Sequence, residues 1–233
     1  MGAPSSGAVS ASVAWDGLSN GYEDWSSQTL SYDRKIGNHT FSVSGAHHDR
    51  ATITGEELFF AHYISRPDSA LDLSYQLQVG DGAAWAKTGA KAAVHWRAGD
   101  GWVTTAGASY RDFEVSDAKA VFVEFERYVG NERFAFKLEQ DLSAGAGGDV
   151  RMHQAAWSHY YDSGAQATVT LAAGKELNLD FGRVLAPSDV LTAAVHGVVP
   201  ITKEVDMLPA LAWTKQDEAY ERVTASIGVR YKF

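Results

Sequence analysis

From Val223 to Phe233 the chain alternates without a break. Val223, Ala225, Ile227, Val229, Tyr231 and Phe233 are apolar, while Thr224, Ser226, Gly228, Arg230 and Lys232 are polar or small. A period of two is the signature of a strand with one apolar face. LDLSYQLQVG repeats it, with Leu71, Leu73, Tyr75, Leu77 and Val79 against Asp72, Ser74, Gln76 and Gln78. So do GAVSASVAW, QTLSYD, HTFSVSGAHHD, AKAAVHWRA, AVFVEFER, FAFKLEQD and AQATVTLAA. EELFFAHYIS, TTAGASYRD, QAAWSHYYD, DVLTAAVHG and MLPALAWT are strand-like with ambiguous facing, and Pro209 inside the last suits a central ladder poorly. No helix-period face of any length interrupts them. Together these segments predict about 14 strands, with 12 to 16 compatible with the pattern.

The connections add topology. IGNH (36–39), RPDS (66–69), AGDG (98–101), VGNE (129–132), DSG (162–164) and PITK (200–203) are short and rich in turn formers. Between them lie longer polar stretches: DGLSNGYEDW, GDGAAWAKT, SAGAGGDVR and GKELNLDFGRVLAPSD. Tight and loose ends in alternation put all tight turns on one rim, and an even strand count brings both termini there too. Outer-membrane barrels have this layout, with short turns on the periplasmic side. The expectation is an all-β fold, a single antiparallel up-and-down transmembrane β-barrel with periplasmic N and C termini.

Composition narrows the alternatives. At 233 residues, 45% hydrophobic and with mean hydropathy −0.22, the chain has ample apolar side chains but disperses them. No run approaches the ~18–20 apolar residues of a membrane helix, which leaves a strand-built span open. A net charge of −9 argues against nucleic acid as a partner. The absence of Cys excludes disulfides and thiol chemistry. MGAPSSGA lacks the charged and apolar regions of a signal peptide. Residues 1–7 are therefore expected to be a linker or added segment, and residues 8–233 the barrel domain.

Alternation alone does not separate a membrane barrel from a soluble β-fold that binds a ligand in an apolar core. Two features favour lipid. The polar parity carries Asp33, Asp72, Lys91, Arg97, Arg111, Glu124, Glu126, Lys137, Glu139, Asp141, Arg222, Arg230 and Lys232, mixed in sign, whereas the apolar parity is nearly free of charge. Aromatic residues gather at strand ends: Trp15, Trp25, Tyr32, Trp96, Trp102, Tyr110, Tyr128, Phe134, Trp157, Tyr161, Trp213, Tyr231 and Phe233. Rings at both rims are expected to form interfacial girdles, for which Trp15, Trp96, Tyr110, Phe134, Trp157, Tyr231 and Phe233 are the candidates.

The ending Tyr231-Lys232-Phe233 resembles the assembly signal of bacterial outer-membrane barrels. SVAWDGLSNGYEDWSSQTLSYDR, FGRVLAPSDVLTAAVHG and ERVTASIGVRYKF resemble the YaiO-like outer-membrane barrel domain, as a pattern covering nearly the whole chain. The resemblance implies a bacterial outer-membrane location and a barrel that stands alone or follows a periplasmic repeat region. It also implies relatives in operons that export polysaccharide. It supplies no catalytic motif.

Candidates for chemistry are few. His47, His48, Asp49 and Arg50 form the densest polar cluster, and some barrel enzymes acting on lipids pair His with Ser near a rim. Neighbours on a strand point to opposite faces, and Ser42 and Ser44 stand several residues below His48. His48 remains the candidate for an acyl-hydrolase reading. No ligand spacing suggests a metal, SAGAGGD lacks the GK[ST] of a phosphate loop, and no cofactor is expected. The stronger candidate site is the lumen: Asp72, Lys91, His95, Arg97, Arg111, Glu124, Glu126, Lys137, Glu139, Arg222, Arg230 and Lys232. Such a lining offers donors and acceptors to a hydrated chain, or braces a closed barrel through ion pairs. The function expected is a passive pore or structural component for export of a polymer, a polysaccharide by the family resemblance. Its partners would be outer-membrane lipid, the polysaccharide and periplasmic export components.

Overall fold

The computed structural model describes residues 5–50, 53–81, 85–114, 116–143, 150–180 and 184–233, with their side chains apart from residue 5 and residues 177–186. Every regular element among them is a strand. In chain order these are β1 (Ser5–Leu18), β2 (Trp25–Ile36), β3 (His39–Arg50), β4 (Ile53–Ile64), β5 (Leu71–Gly80), β6 (Thr88–Gly99) and β7 (Trp102–Asp112). There follow β8 (Asp117–Val129), β9 (Glu132–Asp141), β10 (Arg151–Tyr160), β11 (Gln166–Asp180), β12 (Val184–Pro200), β13 (Val205–Gln216) and β14 (Tyr220–Lys232). Each pairs antiparallel with its sequence neighbours, and β1 pairs with β14 from Ala8↔Lys232 to Leu18↔Arg222, which closes the barrel. Closure leaves no strand edge, the condition for a sheet to cross lipid. Every strand reaches the ~9–11 residues a tilted span requires.

The register carries the alternation around the wall. One row runs Tyr231, Val9, Tyr32, Val43, Phe60, Leu77, Ala90 and Tyr110 across β14 and β1 to β7, all apolar. The adjacent row on the other parity reads Arg230, Ser10, Ser31, Ser44, Phe59, Gln78, Gly89 and Arg111. The apolar parity is the exposed one: Leu30, Leu73, Phe136, Ile227 and Val229 lie open on the outside. Asp72, Thr105, Ser158, Thr168, Asp206, Thr214 and Gln216 are buried on the opposite parity. The fold is thus inside-out relative to a soluble barrel, and the soluble reading fails on this point.

Three details depart from the pattern. β1 begins at Ser5, so Ser5, Ser6 and Gly7 pair with Ile36, Lys35 and Arg34 and extend the barrel ahead of residue 8. GKELNLDFGRVLAPSD, expected to be a long loop, is mostly strand: β11 and β12 pair from Gln166↔Val198 to Asp180↔Val184 around residues 181–183. Because β10 starts at Arg151, opposite Gln140, β11 past Gly174 pairs among the described residues with β12 alone. Gly174 makes the departure possible: its φ is 149°, and any Cβ there would collide with the Arg151 carbonyl.

Pro209 is also accommodated inside a strand. It pairs with Ile227 of β14, while the β12–β13 ladder skips from His196↔Ala210 to Val199↔Met207 and resumes in the same register. The missing N–H costs that ladder local hydrogen bonds without shifting it. The tight rim holds the connections 37–38, 65–70, 100–101, 130–131, 161–165 and 201–204 together with the start of β1 and Phe233. The residues 144–149 of the expected SAGAGGD loop lie outside the described residues.

Candidate functional site

With 14 strands spaced ~4.8 Å apart and tilted by ~40°, a circular section has a backbone diameter of about 28 Å. Two facing side-chain layers therefore do not fill it as they fill an eight-stranded barrel. The interior parity holds all twelve lumen candidates, Asp72, Lys91, His95, Arg97, Arg111, Glu124, Glu126, Lys137, Glu139, Arg222, Arg230 and Lys232, since each shares its register row with other buried or polar positions. They sort into separate clusters rather than one site.

Near the tight rim, Asp206 is fully buried between two cations of the neighbouring strand. Arg230 donates to Oδ2 through Nε at 2.8 Å and Nη2 at 2.6 Å, and Lys232 reaches Oδ1 at 2.7 Å. Asp72 accepts from the Tyr63 hydroxyl (2.7 Å) and the Arg66 amide (2.8 Å), with Arg97 at 3.3 Å. Arg97 also donates to the carbonyls of Arg66 and Ser69, so this cluster pins the 65–70 turn to the wall. His95 bridges Ser74 and Thr105, at 2.9 Å each.

Farther along the same wall, on β8 and β9, Arg133 joins Glu124 and Glu126, and Lys137 pairs with Glu139. Lys91 and Lys137 lie 4.6 and 5.0 Å from the ring centre of Phe122, inside the range of cation–π attraction. Phe122 can lie flat against the wall because Gly107 has no side chain there. Two unfilled niches flank Lys91: one of about 210 Å³ bordered by Gln76, Gln78, Arg111 and Glu139, the other of about 190 Å³ bordered by Thr40, Ser42, Tyr63 and Ser74.

At the loop rim Arg50 lies between two indoles, 4.9 Å from each of Trp25 and Trp85. Arg222 also approaches Trp25 (5.7 Å) and Asp16 (3.8 Å). From the sequence Trp25 reads as a girdle ring; its partner Asp16 and these contacts place it inside, and Tyr128, which donates to Glu126, is inside as well. Trp85, from the β5–β6 connection, covers Gly55 and stacks on His48 at 5.1 Å, so its indole turns into the mouth. His48 is thereby held by Trp85 and by Glu57 at 3.2 Å, while Ser42 donates to Asp33. His47 points outward, toward Glu56. This arrangement provides no Ser–His pair at His48.

The wall from β10 to β13 is different. Above Asp206 its interior carries Ser158, Thr168, Thr170, Thr192, Ala194, His196, Ala210, Ala212 and Thr214, with Ser158–Thr168 and Thr192–Thr214 hydrogen bonds of 2.9 and 3.1 Å. Sequence reasoning missed this neutral wall because Ala stands on both parities of QAAWSHYYD and DVLTAAVHG. It also missed Asp206, Glu57 and Arg133, whose cross-strand partners only the register reveals.

On the outside, Trp96, Phe134, Trp157, Tyr231 and Phe233 stand exposed toward the tight rim, and Trp15 and Tyr110 toward the loop rim, where Trp213 is half-buried. Trp157 and Trp213 donate to Glu132 and Glu221, the polar handle expected of a ring at headgroup depth. His39, His62 and Tyr75 form a hydrogen-bonded chain among them, at 3.0 and 2.9 Å.

The family model described as YaiO membrane beta barrel domain matches residues 6–176. No curated protein matches the chain. Solved barrels share the fold at low identity. The CymD monoaromatic hydrocarbon channel has TM-score 0.67 and 8% identity over 100% of this chain and 89% of that one. An anion-selective porin from Comamonas acidovorans has TM-score 0.55 and 9% identity over 99% of each. A bacterial polysaccharide outer membrane secretin has TM-score 0.56 and 10% identity over 100% and 99%.

Proposed function

Because the chain belongs to the YaiO membrane beta barrel domain family and forms a barrel of the bacterial outer membrane, we propose that it provides a passive, water-filled passage for a hydrated polymer, a polysaccharide. The observation that carries this reading is the lining around Lys91. Lys137 pairs there with Glu139, Lys91 rests on the Phe122 ring, and unfilled niches remain between them. Paired charges and hydroxyls exchange hydrogen bonds with a sugar chain without holding it, which is what conduction requires. The neutral Ser/Thr wall opposite serves the same end. The polysaccharide secretin and the porin share only the fold with this chain, and their cargo comes to it as an analogy. On this reading the tight rim and both termini face the periplasm, where export components would dock.

The test is single-channel recording in planar bilayers. Discrete conductance steps are expected, with Lys91→Glu shifting the reversal potential toward cations and a soluble oligosaccharide interrupting the current. Electrical silence from a barrel that still migrates as a folded species on unheated SDS gels would overturn the passage and leave a brace.

A further inference from the structure

Lys91 stands between the two unfilled niches of the bore, and the rows around it explain why both are open. Gln76, Lys91 and Ser109 form one register row on β5, β6 and β7; Gln78, Gly89 and Arg111 form the next inward row toward the loop rim. Gly89 has no side chain to fill the space between Gln78 and Arg111, where a Cβ would come within 3.1 Å of the Gln78 amide oxygen. The first niche is this gap. The second lies on the tight-rim side of the same row, where Ala61 is small and Thr40, Tyr63 and Ser74 present hydroxyls. Lys91 and Gln76 border both, so a chain running along the bore crosses from one niche to the other over them.

The first niche is electropositive. Among the described residues neither Lys91 nor Arg111 forms an ion pair; each meets an aromatic ring instead, Phe122 at 4.6 Å and Phe113 at 5.7 Å. The Gln76 amide and the Ser109 hydroxyl beside them make no side-chain hydrogen bond among those residues either. Glu139 also borders the niche, but Lys137 holds its carboxylate at 2.5 Å, and Glu124 is held by Arg133. Lys91 and Arg111 are thus left uncompensated, with neutral hydrogen-bonding groups between them. The chain's net charge of −9 does not cancel this, because salt screens exposed charges more than ~8 Å apart.

We infer that the two niches are consecutive sugar subsites and that the first takes a uronic-acid unit, so the polymer conducted is acidic. This rests on the passage proposed above and adds the chemical class of its cargo. The sugar carboxylate lies between Arg111 and Lys91, accepting from the ammonium and from the guanidinium fork, whose parallel N–H groups match its two oxygens. Gln76 and Ser109 serve the ring hydroxyls. The neighbouring ring lies in the second niche against Thr40, Tyr63 and Ser74, where Lys91 is the only cation on the border. A neutral sugar in the first niche would leave both cations to water and gain nothing from them. In a wet lumen the attraction is modest, so the unit is selected and then released, as conduction requires.

Saturation-transfer NMR on the barrel in detergent micelles tests it, because it reads binding whether or not the barrel conducts. Trigalacturonate should bind about tenfold more tightly than maltotriose at low salt. Raising NaCl to about 1 M, where the screening length is ~3 Å, should erase the difference. Lys91→Gln and Arg111→Gln should each weaken trigalacturonate about threefold, and together bring it to the maltotriose level. Lys203→Gln removes the same charge from the 201–204 turn and should change neither ligand. Mobility on unheated gels checks that each variant is folded. Equal binding of the two trisaccharides, a preference undiminished in Arg111→Gln, or an equal loss in Lys203→Gln would each overturn the assignment. Channel recording separates the two readings: a barrel that conducts without discriminating loses the acidic cargo alone. A silent barrel that still selects trigalacturonate keeps the site and loses the passage.

Discussion

Asp206 ties the last strand to the barrel, and its removal has a calculable cost. It sits on β13 directly opposite Arg230 and diagonal to Lys232, and both cations close on it. The carboxylate side chain is 1% exposed, while the side chains of Arg230 and Lys232 are 33% and 39% exposed. Truncating one partner of a fully buried pair costs about 3–5 kcal/mol, mostly the penalty of the charge left behind. Here the orphaned cations can recover part of that from water, so Asp206→Ala should cost about 2–3 kcal/mol. Arg230→Ala should cost less, about 1–2 kcal/mol, because Lys232 still neutralises the carboxylate. Urea titration of the barrel refolded into lipid vesicles, followed by tryptophan fluorescence, measures both. The reasoning fails if Asp206→Ala stays within about 0.5 kcal/mol of the parent, or if Arg230→Ala is the more damaging change.

Two further substitutions probe the wall. Ile227→Arg, on the outward face at mid-strand, should destabilise by about 2–4 kcal/mol in the same titration, whereas Thr170→Arg on the interior parity of β11 should cost under about 1 kcal/mol. Gly107→Ala drives a methyl into the Phe122 ring and to 2.5 Å from the Ala92 carbonyl. It should cost about 1–3 kcal/mol, and Phe122→Ala should restore only part of it because the backbone clash remains.

Much of the architecture is legible because lipid imposes a binary rule. LDLSYQLQVG and VTASIGVRYKF alternate between large apolar and hydrogen-bonding side chains, so the facing of β5 and β14 follows from parity alone. Where Ala occupies both parities, as in β10 and β12, the rule gives no direction, and the neutral interior wall stays hidden. The hairpin of β11 and β12 reads as a loop because its outer part is held by backbone pairing and needs no apolar face. Pro209 sits inside a strand because only one of its two ladders needs the N–H it lacks. The lumen positions can be counted from the sequence but not connected. Which carboxylate meets which cation, why Trp25 turns inward onto Arg50, and where the niches beside Lys91 open all depend on register, and register is a property of pairs of strands.

The central claim is that the apolar parity meets acyl chains and the polar parity meets water. The chain has no Cys, so single cysteines can carry nitroxide labels without background. At Leu73, Phe136 and Ile227 the labels should relax with lipid-soluble oxygen, and at Ser74, Lys137 and Thr170 with an aqueous nickel chelate. Labels at Leu73, Phe136 and Ile227 shielded from both reagents, or preferring the nickel, would contradict it.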